Sequence, residues 1–478
     1  MKGDRERRRT SVLSLQFRMD GMSDWIPFLW PAEWQDSALL DLLKGTPINC
    51  LILKWADPAG RQQLKPVVGR ARAAGLALVA LVGTGADRSA AVASAQAAGF
   101  SAVASDAEVQ GGFPVIWWTE RSQVPWAAPG PVLAIAEGVW PGIPLREEAG
   151  AGPTGMPWID SNGWFVQLAR ARAPSKTIWV VAEPPAKDPF LGPSSYALAI
   201  ADAEVYGARW VISLAERQRA GLVTQDSQAV DAWKKLSGAI EFFEAHRNWR
   251  ELRLVSVAAV ISDFSGENEF LSGEILNLLA RRPLAARIIE KGRWESASWE
   301  GLKAIIYPDP DPPSAELRAK LLAFVKGGGL LVAGSKWPPT EGTPANGDPY
   351  KRYQVRRLGK GRLAVAKEET QDPYEVARDT HLLLSHRNNP LQFFNAASMN
   401  SYYTITEDRK KALVQIVNYS MRPAGHPVSV KFPERYRAAR LWTLESKAPA
   451  SLEVGAVDRG VEIHLPPFAV YAAIELEK

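Results

Sequence analysis

Asp106, Glu137 and Glu183 each stand where a short apolar run ends, and tryptophans occupy the same kind of place. Trp30 ends Trp25-Ile-Pro-Phe-Leu-Trp30, and Trp55 ends Leu51-Ile-Leu-Lys-Trp55. Trp117 and Trp118 end Phe113-Pro-Val-Ile-Trp-Trp, and Trp140 follows Val132-Leu-Ala-Ile-Ala-Glu137. Fourteen of the eighteen tryptophans precede residue 250, so aromatic faces and strand-end carboxylates fall in the same half of the chain. Together they suit a sugar, whose C–H faces stack on rings and whose glycosidic bond is cleaved by an acid and a base. Core and rim packing explains many tryptophans equally well, because the residue is usually well buried.

Each candidate has a chemical and a structural explanation. Glu183 precedes Pro184-Pro185, which holds it extended at a strand end, as a nucleophile requires; a salt bridge to a rim arginine would also place it there. Asp106 and Glu108 could protonate a leaving oxygen or cap their loop. Glu137 emerges from Ala134-Ile-Ala-Glu137 against Trp140-Pro-Gly142, a costly position without a task or a partner. Lys54 could hold a sugar hydroxyl or an acidic group, or pair with Glu33. Trp30, Trp55, Trp118 and Trp140 are the candidate stacking walls. In Asp160-Ser-Asn-Gly-Trp164, Asp160 or Ser161 suits a helix N-cap, while Asn162 and Trp164 could reach a sugar from the same loop.

Elements that position these residues follow from periodicity. Strand patterns at 25–30, 48–55, 76–82, 101–105, 113–118, 131–136, 177–182 and 209–214 alternate with helical ones at 34–44, 60–74, 88–99, 161–172 and 195–206. That rhythm predicts a (β/α)₈ barrel over 25–250, behind a flexible basic tail at 1–24. The stretch 105–160 breaks the rhythm with Gly and Pro loops, which should sit at the strand C-terminal mouth. From residue 251 a small α/β domain is expected to 340, with strands at 252–261, 304–307 and 330–333, a further one at 285–289, and helices at 270–281 and 314–326. Ser314 is its N-cap and Gly327 its stop. After a Pro/Gly-rich connector, short strands between turns predict a β-sandwich within 341–478.

Composition narrows the classes. The 478 residues are 46% apolar and 23% charged, values of a soluble globular protein. The net charge of +5 owes much to the first ten residues, and no basic block interleaved with aromatics follows, which argues against nucleic-acid binding. Cys50 is the only cysteine, and of five scattered histidines only His381 and His386 are near neighbours, so neither a disulfide nor a metal centre is expected and no cofactor is called for. Gly83-Thr-Gly85 and Gly327 to Gly329 match neither a P-loop nor GxGxxG and suit turns. No run of eighteen apolar residues exists to span a membrane. Ser11 to Phe17 is cut short by Arg18 and Asp20, which does not make a signal peptide and leaves cytoplasm and export both open.

The order of barrel, α/β domain and β-sandwich resembles glycoside hydrolases of the family 42 beta-galactosidase type. The likeness is carried by Leu252 to Ile261, by Ser314 to Gly334 and by Lys411-Ala-Leu-Val-Gln-Ile-Val-Asn-Tyr-Ser420. Pro157-Trp-Ile-Asp-Ser-Asn-Gly-Trp164 is similar to an element of bacterial barrel proteins of hydrolase type. The resemblance implies a middle domain shaped like a class I glutamine amidotransferase, an oligomer, an Asn-Glu acid/base after the fourth strand and a Glu nucleophile after the seventh. Glu183 matches the nucleophile place. The fourth strand instead ends Ser105-Asp106-Ala107-Glu108, without Asn-Glu. In the middle domain the turn that should carry a cysteine nucleophile holds Ser335, and no histidine lies between 247 and 380, so an assembly role is expected there.

Two functions follow as expectations: hydrolysis of a glycosidic bond by a carboxylate pair at the barrel mouth, or carbohydrate binding or scaffolding by a barrel that has lost its chemistry.

Overall fold

The computed structural model describes residues 21–83, 88–109, 112–143, 158–185, 192–338, 341–345, 352–369 and 372–478. Most of the basic tail, Thr84-Gly85 of the first glycine loop and Pro157 lie outside them. The chain forms two compact units, one of residues up to Pro141 with Val166–Arg250, the other of Gly142–Phe165 with Glu251–Lys478.

In the first unit eight strands pair in parallel in chain order: β1 Pro27–Leu29, β2 Cys50–Lys54, β3 Ala77–Leu81, β4 Ala102–Ser105, β5 Val115–Thr119, β6 Val132–Ile135, β7 Thr177–Val180 and β8 Arg209–Trp210. A parallel bridge between Phe28 and Ile212 closes the cylinder, with Leu29 N–H donating to Ile212 O at 2.8 Å. Seven of the strands fall inside their expected stretches, and β5 runs one residue past its own, to Thr119. Helices Pro58–Ala73, Arg88–Ala98, Gly163–Arg172 and Pro193–Val205 match four of the five helical patterns; the fifth, at 34–44, is a 3₁₀ helix, Ser37–Leu43, and Glu216–Val223 and Ser227–Ala245 are further α-helices. Among the described residues, β4, β5 and β6 are linked without an α-helix, in keeping with the Gly- and Pro-rich loops of that stretch.

Side-chain alternation fills the cylinder. Cys50 and Ile52, Ala102 and Ala104, Val132 and Ala134, Trp179 and Val181 all pack in one interior cluster with Val79, Ile116 and Val211. Alanines on β4 and β6 leave the width that Trp179 takes. A buried side chain of that size contributes about 1.5–3 kcal/mol.

The second unit opens its strands with β9 Arg253–Leu254, β10 Ala258–Ser262, β11 Ala286–Glu290, β12 Ala304–Tyr307 and β13 Leu330–Ala333. β14 Thr343–Pro344, β15 Tyr353–Leu358 and β16 Gly361–Ala366 follow. Seven of these make one sheet of order β11-β10-β12-β13-β16-β15-β14, parallel from β11 to β16. The helix Ala315–Lys326, capped by Ser314 on Leu317 N–H at 3.3 Å, buries Leu317, Leu321 and Val325 in the same cluster as Ile305, Leu331 and Leu363.

This sheet runs past residue 340. β15 and β16 form a hairpin on its edge, and the helix Pro373–Leu384 follows. A hairpin strand lying parallel to β13 has no local signature in the sequence. Gly359 takes φ +61° in the turn, and a Cβ at Gly361 would collide with Gly329 O, so the turn needs both glycines. The expected strand at 252–261 divides in two: β9 pairs with β18 Met399–Ile405, and only β10 enters the α/β sheet.

The C-terminal strands form two antiparallel sheets. β17 Gln392–Phe394, β20 Val428–Phe432, β24 Gly460–Leu465 and β23 Gly455–Val457 make one. β22 Ala450–Leu452, β21 Ala438–Thr443, β25 Tyr471–Glu477, β19 Lys411–Asn418, β18 and β9 make the other. Val414, Ile416 and Ile474 of one share a core with Val430, Phe432 and Ile463 of the other, which is the expected sandwich. No helix among the described residues is long and apolar enough to cross a membrane.

Candidate active site

Strand phase decides which strand-end residues reach the barrel axis. Cys50 and Ile52 point inward on β2, so Lys54 does too. Ala102 and Ala104 put Asp106 in the inward phase, Trp179 and Val181 put Glu183 there, and Val211 puts Ser213 there. On β6 the inward residues are Val132 and Ala134, which makes Ala136 the next and turns Glu137 away. Leu29 and Trp118 pack on the interior cluster, whereas Trp30 and Trp55 are out of phase.

Lys54, Glu183 and Ser213 line one cavity of about 990 Å³, together with Glu33, Tyr196 and Arg219. Glu183 and Lys54 are exposed, and among the described residues neither has a hydrogen-bond or ion-pair partner. Ser213 Oγ donates to Ala182 O at 2.7 Å, tying the end of β8 to the residue before Glu183. The Glu33 carboxylate meets Arg219 Nε at 2.5 Å, and Arg219 also donates to Leu214 O at 2.8 Å. Glu33 is therefore the partner of Arg219, not of Lys54. Tyr196 is buried, which raises its pKa and keeps the phenol neutral, and its oxygen accepts from Ala215 N–H at 3.1 Å.

Other candidates lie elsewhere. Asp106 is held by Arg88 at 2.7 Å, and neither it nor the exposed Glu108 lines the cavity. Glu137 accepts from Arg121 N–H at 2.9 Å and lies 3.6 Å from its guanidinium, off the cavity. This pairing is the partner that its apolar approach demanded.

Two of the four expected stacking walls are core residues instead. Trp30 is 1% exposed, lies edge-on to Phe28 and Trp34, and donates Nε1–H to Trp34 O at 2.8 Å. Trp55 is equally buried, 4.7 Å from the Phe100 ring. Trp55 does not border the cavity, and Trp30, though it borders the cavity of Glu183, is too deeply buried to present its ring, because odd phase sends both into the layer outside the strands. Trp118 and Trp140 are half-buried. Trp140 stands edge-on to Tyr196 at 5.5 Å and to Trp210 at 5.3 Å, behind the cavity wall.

Asp160, Asn162 and Trp164 fold with the second unit. Asp160 pairs with Gly142 in a two-residue bridge and accepts from Trp158 Nε1–H at 3.1 Å. Ser161 Oγ accepts from Gly163 N–H and from the Tyr419 hydroxyl, both at 3.1 Å. Asn162 and Trp164 are buried. Trp164 N–H reaches Asn277 Oδ1 at 3.3 Å, and a Cβ on Gly273 would stand 2.6 Å from its indole. The motif is packing, and a sugar-contact role for Asn162 and Trp164 does not fit their burial.

Sequence reasoning missed Arg219, Tyr196 and Ser213, and met Glu33 only as a partner for Lys54. Counting by twos from the apolar positions of β8 finds Ser213; Arg219 sits on a helix with almost no apolar stripe to betray it.

No family model matches the chain, and no curated protein matches it in sequence. Solved structures match it in fold. The alpha-L-fucosidase isoenzyme 2 from Paenibacillus thiaminolyticus gives a TM-score of 0.61 at 11% identity, covering 95% of this chain and 98% of that one. A rhamnosidase from Novosphingobium sp. PP1Y gives 0.47 at 15% identity, over 87% of this chain and 40% of that one. A beta-galactosidase from Rahnella sp. R3 gives 0.41 at 10% identity, over 87% and 66%. The first of these shows a fold shared from end to end.

Proposed function

We propose that the chain hydrolyses a glycosidic bond at the mouth of its barrel, with Glu183 as one of two working carboxylates. The observation that carries this is the position of Glu183: in the inward phase after β7, on a cavity large enough for a sugar, with no partner among the described residues. The resemblance expects a nucleophile there, and the protein that shares the fold is named a fucosidase. Glu33, on the same cavity, is the second carboxylate in this reading, steadied by Arg219. One of the pair protonates the leaving oxygen, while the other attacks the anomeric carbon or activates water. Lys54 then donates to a sugar hydroxyl and Tyr196 forms part of the wall. Asp106, Glu108 and Glu137 are next in line as acid/base.

A sugar-binding barrel without turnover is the second reading. It is favoured by the arginines that already occupy Glu33, Asp106 and Glu137. Turnover of aryl glycosides, beginning with α-L-fucosides, separates the two. Hydrolysis by wild type that is lost in Glu183→Gln supports the enzyme; sugar binding without any turnover supports the binder.

A further inference from the structure

We propose a second ligand site in the α/β part of the second unit: a crevice that binds a small protonated amine carried on an apolar body. It lies at the carboxyl ends of β12, β13 and β16, and is independent of the barrel reading.

Chain order predisposes this edge to bind. From β10 the sheet grows to β11 on one side, then to β12 and β13 on the other, and open α/β sheets bind ligands outside the carboxyl ends near such a reversal. A cavity of about 470 Å³ lies there, within the range of small-molecule sites. Aromatic rings form much of its wall: Tyr307 at the end of β12, Tyr353 on β15, and Phe270 on the helix Glu267–Ala280. Phe270 is 60% exposed, although that helix buries most of its C-terminal half. An apolar ring left open on a cavity rim suits a ligand with an apolar face.

Polar groups in the wall choose the charge. Glu267 and Glu369 line the crevice, and no lysine or arginine does among the described residues. Neither carboxylate has an ion-pair or hydrogen-bond partner there. Tyr353 is 4% exposed, yet its hydroxyl makes no hydrogen bond with a described residue and is left to the cavity. Burial raises its pKa, so the group presents a neutral oxygen that accepts a hydrogen bond. Lys291 Nζ, 5.4 Å from the Tyr307 ring centre, is engaged with Asp309 at 3.5 Å, and Arg352 and Arg378, whose charges act on Tyr353, are engaged with Glu375 and Asp379. Two carboxylates, a phenol oxygen and aromatic faces are the chemistry that recognises an ammonium group. A carboxylate ligand would meet like charge.

The test titrates full-length protein with 2-phenylethylamine by calorimetry, beside 2-phenylethanol and 3-phenylpropionate of similar size. Saturable one-to-one binding of the amine is expected, with the alcohol about tenfold weaker or more and the acid silent. Glu267→Gln with Glu369→Gln should weaken the amine by about tenfold, and Tyr353→Phe by less. Glu183→Gln, in the barrel, should leave amine binding as it is in wild type. Thermal melts check that each variant folds, and the three-probe comparison on unaltered protein needs no variant. The site is refuted by absence of saturable amine binding, by equal binding of amine and acid, by a folded double variant that binds like wild type, or by loss of binding in Glu183→Gln.

Discussion

Glu33 and Arg219 meet at 2.5 Å across the seam of the barrel, one on the loop after β1, the other on the helix after β8. These are the first and last strands, and the pair lies on the cavity that also holds Glu183. The clasp therefore bears on the shape of the mouth more than on the stability of the fold.

Both side chains of this clasp are partly exposed, so Arg219→Gln should cost no more than about 1 kcal/mol of stability. Its effect on turnover should be larger, since a carboxylate displaced by an ångström loses its alignment. Glu33→Gln should lower kcat further, by about 10²-fold or more, if it transfers a proton. Thermal melts beside steady-state kinetics on an aryl glycoside check both. Equal, small kinetic effects of the two changes would remove Glu33 from the working pair and bring Asp106 forward.

Glu183→Gln should retain sugar affinity while kcat falls by about 10²–10⁴. Because the side chain is exposed and unpartnered among the described residues, its melting temperature should stay at the wild-type value. Turnover that survives the change would dismiss Glu183 from catalysis.

Trp30→Ala and Trp118→Ala should part company. Trp30 is enclosed by Phe28 and Trp34, and its loss should destabilise the barrel by about 3–5 kcal/mol. Trp118, half-buried at the top of the interior, should cost less stability and act on ligand binding if it contacts the sugar. Urea unfolding and sugar titration of both variants decide; a Trp30→Ala protein as stable as wild type would contradict the packing described.

Phase explains how far the site is legible in the sequence. The eight strands are legible because apolar runs of about five residues recur between helical patterns, and Glu183 and Lys54 are legible as strand ends. Facing is not. Glu137 is one residue past the inward position, and Trp30 and Trp55 end their runs on the wrong parity, so closeness to a strand end misleads for all three. Long-range partners are also hidden. Asp160-Ser-Asn-Gly-Trp164 looks like a loop built for ligand, but Asn277 and Tyr419, which pair with Trp164 and Ser161, lie far along the chain. The β15–β16 hairpin joins the α/β sheet through β13, and no local pattern announces a strand's neighbour.

His381, on the helix Pro373–Leu384, should make stability depend on acid pH. Burial, reinforced by the charges of His386 and Arg282, lowers its pKa to about 4, and Asn389 Nδ2–H donates to its Nε2 at 2.7 Å, which suits the neutral ring. In the unfolded chain the group titrates near 6.5. Between these values the unfolded state binds the extra proton, so this contribution is full above about pH 6.5 and is lost as pH falls toward 4. The urea midpoint of wild type should drop through that window relative to His381→Gln. Parallel pH profiles for the two proteins would deny the linkage.

Residues 142–165 belong to the second unit although they lie within the barrel's own stretch of sequence. A fragment ending near residue 250 would keep all eight barrel strands yet lose Asn277, Gly273 and Tyr419, leaving Trp164 and Ser161 without their cover. Such a fragment should be sticky and poorly soluble. By the same token, neither unit can be inherited, swapped or deleted by a single crossover in its gene; the two must travel together.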